Sequence, residues 1–163
     1  MAMARLPTNK SQGKSNLHQG GIGAGFDLIS GRITRAVIGN TRKGIRTHPD
    51  TGLELIGKEI PFWDEILRMA VRSQKASGFG YVGVDLTIDE EKGPLVMEVN
   101  KRPGLEIQNA NPQTLLKRIG AVETFLKARL SSNERELSEE EAIQTMYTLE
   151  KENWNLQLTE EEN

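Results

Sequence analysis

Residues 81–104 read YVGVDLTIDEEKGPLVMEVNKRPG. Two apolar runs, Tyr81 to Ile88 and Pro94 to Val99, flank the polar turn Asp89 to Gly93, so the segment predicts an antiparallel β-hairpin. Asp85 interrupts the apolar run Val82 to Leu86, while Glu98 and Asn100 bracket Val99. Residues two apart in a strand share a face, and the hairpin brings Asp85 opposite the end that carries Glu98. Three oxygen-bearing side chains then converge. Such a set suits magnesium or manganese, hard cations that complete their shells with water and substrate phosphates. Spacing alone also allows a plainer arrangement in which Asp85 and Glu98 are exposed strand carboxylates facing water.

Outward from this hairpin the chain predicts an α+β fold, an antiparallel sheet with helices packed on one face. Met1 to Thr8 reads as a short strand and Asn9 to Ser15 as a flexible polar loop. Gly21 to Ile29 and Arg32 to Ile38 form a second hairpin around the two-residue turn Ser30-Gly31. Gly39 to Gly52 lacks a sustained period and reads as a long loop. A helix follows, with Pro61 in its first turn, an apolar face of Trp63, Ile66, Leu67, Ala70 and Val71, and Gly78 as its cap. After the loop Lys101 to Gly104, Asn111 is placed to cap a second helix that has Pro112 at its first position. Its Leu115, Leu116, Ile119, Val122 and Leu126 are expected to face inward. Ser138 with Glu141 resembles a capping box opening a third helix through about Glu152.

At 163 residues with 36% hydrophobic and 27% charged residues, the chain fits one globular core. The sequence divides into residues 1–130 and an acidic helical tail, 131–163. Lys and Arg outnumber Asp and Glu by 19 to 13 in the first part; the tail reverses this, 2 against 10. The basic body suits a polyanion such as ATP, whereas nucleic acid is not expected, because aromatics are only 5% and no aromatic-basic platform is visible. No apolar run approaches the roughly 20 residues that span a bilayer, and no secretory pattern opens the chain, so no membrane role and a cytoplasmic location are expected. The absence of cysteine rules out disulfides, thiolate zinc sites and a cysteine nucleophile. The glycines at 21, 23 and 25 alternate in a strand with no helix behind them, unlike a phosphate-cradling loop.

The run from Gly93 to Asn100, followed by Lys-Arg-Pro-Gly104, resembles the terminal motif of ATP-grasp carboxylate-amine ligases, and most closely the glutamate-ligase branch that modifies ribosomal protein. Upstream, Lys14-Ser-Asn-Leu-His-Gln-Gly-Gly21 resembles that branch's motif of a basic residue followed by Ser-Asn-Leu-His. The patterns Asn16 to Gly20, His48 to Gly52 and Pro103 to Leu105 are similar to those of the alpha-L-glutamate ligase-like subfamily. The resemblance covers about Met1 to Leu130 and implies the C-terminal subdomain of that fold. It implies that Asp85, Glu98 and Asn100 bind the magnesium or manganese ions that bridge ATP phosphates, and that Lys14 and Asn16 contact the nucleotide. Arg102 is then the catalytic cation on the transferring phosphoryl group. Lys14 stands where the motif has Arg, a point charge in place of a bidentate fork. A turn-stabilising role for Asn16 is also open.

The implied reaction joins a carboxylate to an amine, such as glutamate and a peptide or protein, through an acyl phosphate. ATP-grasp ligases clamp ATP between two subdomains, and the lysine pair and flap of the earlier one are not in this sequence. The chain is therefore expected to be inactive alone and to need an N-terminal half or a partner chain, with the exposed half-interface favouring a homo-oligomer. The alternatives are a non-catalytic nucleotide- or metal-binding module and an oligomerisation module. A structural role is expected for His18 and His48, since neither has an acidic partner at a readable spacing.

Overall fold

The computed structural model describes the backbone at residues 1–39, 43–132 and 136–154, and side chains as far as 152. It contains two antiparallel sheets and three helices. Strands β1 (Met3–Leu6), β2 (Ile22–Phe26), β3 (Ile33–Ile38) and β4 (Gly44–Ile45) form a sheet in sequence order, and β5 (Gly83–Asp89) and β6 (Gly93–Asn100) form the predicted second sheet. The helices are α1 (Trp63–Ser77), α2 (Leu115–Ser131) and α3 (Glu139–Trp154).

The first sheet is two-sided, and alternation along β2 explains why. Ile22, Ala24 and Phe26 point to the main core with Leu28, Ile33, Ala36, Leu55, Trp63 and Leu67. Trp63 packs tilted on Phe26 with ring centroids 5.4 Å apart, and its indole N–H donates to the Leu28 carbonyl at 3.0 Å. The opposite face carries Gly21, Gly23 and Gly25. It is covered by Leu17, Val37, Ala110 and Met3. A side chain at Gly25 would meet the Ala110 carbonyl oxygen at 1.9 Å, and one at Gly21 the Asn16 carbonyl oxygen at 2.8 Å. The glycine row is thus a seat for backbone, as strand glycines at close approaches are.

The structure corrects several expectations. The turn between β2 and β3 spans residues 27–32 instead of Ser30-Gly31 alone, because the Asp27 carboxylate accepts from both the N–H and the hydroxyl of Ser30 and folds a wider turn. Residues 9–15 are pinned: buried Ser11 and Thr8 exchange side-chain and backbone hydrogen bonds, and the Thr8 hydroxyl donates to the Gly20 carbonyl. Pro61 lies outside α1, which opens after Phe62 in the left-handed region and closes on Gly78 as expected. In the long loop, Gly44–Ile45 adds a strand to the sheet; residues 40–42 lie outside the described residues.

Helix α2 departs furthest. Thr114, not Asn111, caps it; buried Asn111 instead donates its amide N–H groups to the carbonyls of Ala2 and Ile107. The expected inward face is only partly turned in: Leu115 and Ile119 are half-buried, but Leu116, Val122 and Leu126 are exposed, as is Leu130, while Arg118 is buried. Arg118 finds a partner there. Its guanidinium forks onto Glu150 of α3 at 2.7 and 3.0 Å, with both side chains less than a tenth exposed. The Met1 amino group lies by this pair, and burial, then the Arg118 charge, lowers its pKa to about 5.

The predicted capping box holds: the Ser138 N–H donates to Glu141 and the Glu141 N–H to the Ser138 hydroxyl. Helix α3 docks on α1 through Ile143, Met146 and Tyr147 and through ion pairs from Arg68 and Arg72 to Glu139. Of the tail, residues 133–135 and 155–163 lie outside the described residues. No helix among the described residues is long and apolar enough to cross a membrane.

Candidate functional site

In the β5–β6 ladder Asp85 lies directly opposite Glu98, and Gly83 opposite Asn100. Directly opposed residues share a face, so Asp85, Glu98 and Asn100 project from one side of the sheet. A bulge between Asp85 and Leu86 inserts Met97 as an unpaired residue immediately before Glu98. Beyond Asn100 the chain folds back tightly, with Pro103 against Gly83, where an added methyl would sit 2.6 Å from the proline ring. The first sheet reaches toward this face through an ion pair. Arg5 of β1 reaches across, its Nη2 3.5 Å from Oδ2 of Asp85, with both side chains about half exposed.

A second tie closes the site from the side. His18, in the short 3₁₀ turn Leu17–Gln19, contacts the Glu106 carboxylate through Nε2. The pair joins the loop that bears Lys14 and Asn16 to the segment that follows Arg102 to Gly104. His48 has a different duty. Its Nε2 bonds the Pro7 carbonyl at 3.0 Å and its Nδ1 accepts from the Asp50 N–H, while the Asp50 carboxylate accepts from the Asn9 N–H. This holds loop 48–52 to loop 7–13.

The expected residues therefore fall into two groups. Asp85, Glu98 and Asn100 are brought together. Lys14, Asn16 and Arg102 are exposed on the neighbouring loops, and Asn16 is partly committed: its Oδ1 accepts from the His18 N–H at 2.9 Å as the cap of the 3₁₀ turn. Sequence reasoning missed Arg5 and the His18–Glu106 pair, whose partners lie 80 and 88 residues away. The alternation of β1 against β2 held the signal for Arg5, since it pairs with Gly23 on the face away from the main core.

Among the described residues no group of three or more His, Cys, Asp and Glu side chains gathers. The cluster on the hairpin takes its third oxygen from an amide. Two carboxylates and an amide, half-buried to exposed, are a donor set that fits a hard divalent cation and leaves room for water or phosphate ligands. A hollow of about 480 Å³ between α2 and α3, lined by residues such as Phe125, Thr148 and Leu149, belongs to neither the hairpin nor the loops beside it.

The chain belongs to the sugar-transfer associated ATP-grasp family, which matches residues 1–124. Curated relatives described as probable alpha-L-glutamate ligases align with shorter stretches. The protein from Xylella fastidiosa is 44% identical over 72 residues, 43% of this chain and 24% of its own length. That from Xanthomonas campestris is 58% identical over 38 residues, covering 23% and 13% of the two chains, and that from Marinobacter nauticus 54% over 44 residues, covering 26% and 14%. The matched stretches thus span about a quarter or less of these relatives. No solved structure matches the chain.

Proposed function

We propose that this chain supplies the metal- and ATP-phosphate-binding part of an ATP-dependent ligase that joins a carboxylate to an amine through an acyl phosphate. The observation that carries the reading is the register placing Asp85 against Glu98 with Asn100 on the same face, in a chain of ATP-grasp family. Asp85, Glu98 and Asn100 would hold magnesium or manganese. When bound, these ions would neutralise the charge that builds on the phosphoryl oxygens. Arg102 and Lys14, exposed beside the hairpin, stabilise the transferring phosphoryl group, and Asn16 offers its amide N–H groups to the nucleotide. The names of the relatives support glutamate as one substrate, and the amine would be that of a peptide or protein. A cytoplasmic setting follows from a reaction that consumes ATP.

Well-oriented reactants contribute about 7 to 11 kcal/mol of barrier reduction, so the residues described here act within a larger clamp, contributed by the same protein or by a partner chain. The outward apolar face of α2, where Leu116 is 79% and Leu130 77% exposed, supports self-association. Titration calorimetry tests the central reading. Manganese should bind weakly alone and more tightly with ATP, and Glu98→Ala should remove both signals. Unchanged manganese binding in that variant would sink the assignment, and amide formation by the isolated chain from ATP, glutamate and an amine would refute the part-enzyme reading.

A further inference from the structure

We propose that Arg5 is a resident counter-ion of the carboxylate pair: it occupies Asp85 when no divalent cation is bound, yields that position to the cation, and turns to the nucleotide phosphates. This inference rests on the metal-site reading above and adds to it a residue and an order of events.

Three observations carry it. Asp85 and Glu98 are directly opposed on one face, and like charges in that position repel. The Arg5 guanidinium comes to this pair at Asp85, from the edge strand of the other sheet, through a contact of 3.5 Å to one oxygen. That contact is loose. It is single and longer than a charge-assisted hydrogen bond, and its side chains are 50% and 44% exposed. The buried Arg118–Glu150 fork shows what a fixed pair looks like in the same molecule, with two bonds at 2.7 and 3.0 Å. An exposed ion pair of the Arg5 kind costs little to open. A divalent ion brings twice the charge to the same oxygens, so it displaces the guanidinium. The freed fork then has five N–H donors, a geometry that suits phosphate oxygens, at the rim of the site where the phosphates complete the cation's shell.

The arrangement predicts opposite effects with and without nucleotide, which a purely structural role would not produce. Free Mn²⁺ is followed by electron paramagnetic resonance during titration of the full chain, wild type, Arg5→Gln and Arg5→Lys, with and without ATP. Arg5→Gln should tighten nucleotide-free Mn²⁺ binding about three- to tenfold, because the competing charge is gone. It should also shrink the gain in Mn²⁺ affinity that ATP confers by at least the same factor. Arg5→Lys keeps a charge but loses the fork, so it should leave nucleotide-free binding near wild type and still reduce the gain from ATP. Wild-type binding with unchanged or weakened nucleotide-free affinity in Arg5→Gln overturns the counter-ion role while leaving the metal site standing. An ATP gain undiminished in both variants overturns the phosphate step. No Mn²⁺ binding to wild type, with or without ATP, overturns the metal-site reading and this inference together. Arg5 is half exposed, and the lysine variant keeps the test decisive should the glutamine variant fold poorly.

Discussion

Replacing Gly25 with alanine tests whether the glycine face of β2 is a seat for backbone. The added methyl would lie 1.9 Å from the Ala110 carbonyl oxygen and 2.7 Å from its carbon, against a practical limit of 3.0 Å. Segment 110–111 must retreat by about 1.1 Å, and no flexible side-chain end can yield in its place. The same segment carries Asn111, whose amide holds the Ala2 and Ile107 carbonyls at 3.1 and 2.8 Å, so the shift strains the start of β1 as well. Overpacking typically costs about 1 to 3 kcal/mol, and an obstacle of main chain on both sides places this case near the top of that range, about 3 kcal/mol. For a chain of this size that lowers Tm by about 6 to 12 °C. Gly44→Ala is the control, since nothing lies within 4 Å of its methyl. Urea unfolding followed by circular dichroism gives the difference. A Gly25→Ala protein within about 0.5 kcal/mol of wild type would refute the packing account.

Glu150→Ala should cost about 3 to 5 kcal/mol because it strands the Arg118 guanidinium in a buried site, and replacing both residues by Met and Leu should recover most of the loss; thermal melts of the wild type and these two variants check this. The clasp between α1 and α3 should weaken in acid. The Arg72 hydrogen bond holds Glu139, and the Arg68 hydrogen bond holds Glu140, below the ordinary glutamate value of 4.5. A carboxyl depressed on folding adds stability that is present above its unfolded pKa and lost as pH falls through the folded one. Tm should therefore drop below about pH 4.5, and Glu139→Gln should flatten that part of the profile.

Much of the fold was legible because it rests on local signals. The β5–β6 hairpin, the capping box at Ser138 and the Gly78 cap each lie within a few residues of what they bond to. The three oxygen donors were legible for the same reason, being on two adjacent strands. What escaped depends on distant partners. Helix α2 offers an apolar stripe, yet Arg118 is buried against a bidentate partner in α3, 32 residues on, while Leu116, Val122 and Leu126 are exposed. Arg5 and His18 offered only a charge and a ring until the fold brought Asp85 and Glu106 to them. The role of Asn111 was misread because a buried amide that serves the distant Ala2 carbonyl and the nearby Ile107 carbonyl looks, in sequence, like a helix cap.

The bulge at Met97 decides a question of parity. Counted back from the Asp89–Gly93 turn in unbroken register, Leu86 pairs with Val96, and Glu98 would fall opposite Val84, whose side chain points away from that of Asp85. One unpaired residue shifts the count, and Glu98 and Asn100 arrive on the same side as Asp85. Met97 donates no ligand and is 69% exposed. Drawing it into the ladder opposite Asp85 would leave every oxygen donor in the sequence and turn Glu98 and Asn100 to the other side of the sheet from Asp85, whereas deleting it would give a regular ladder that keeps Asp85 opposite Glu98, so the bulge, and not Met97 itself, holds the three on one side.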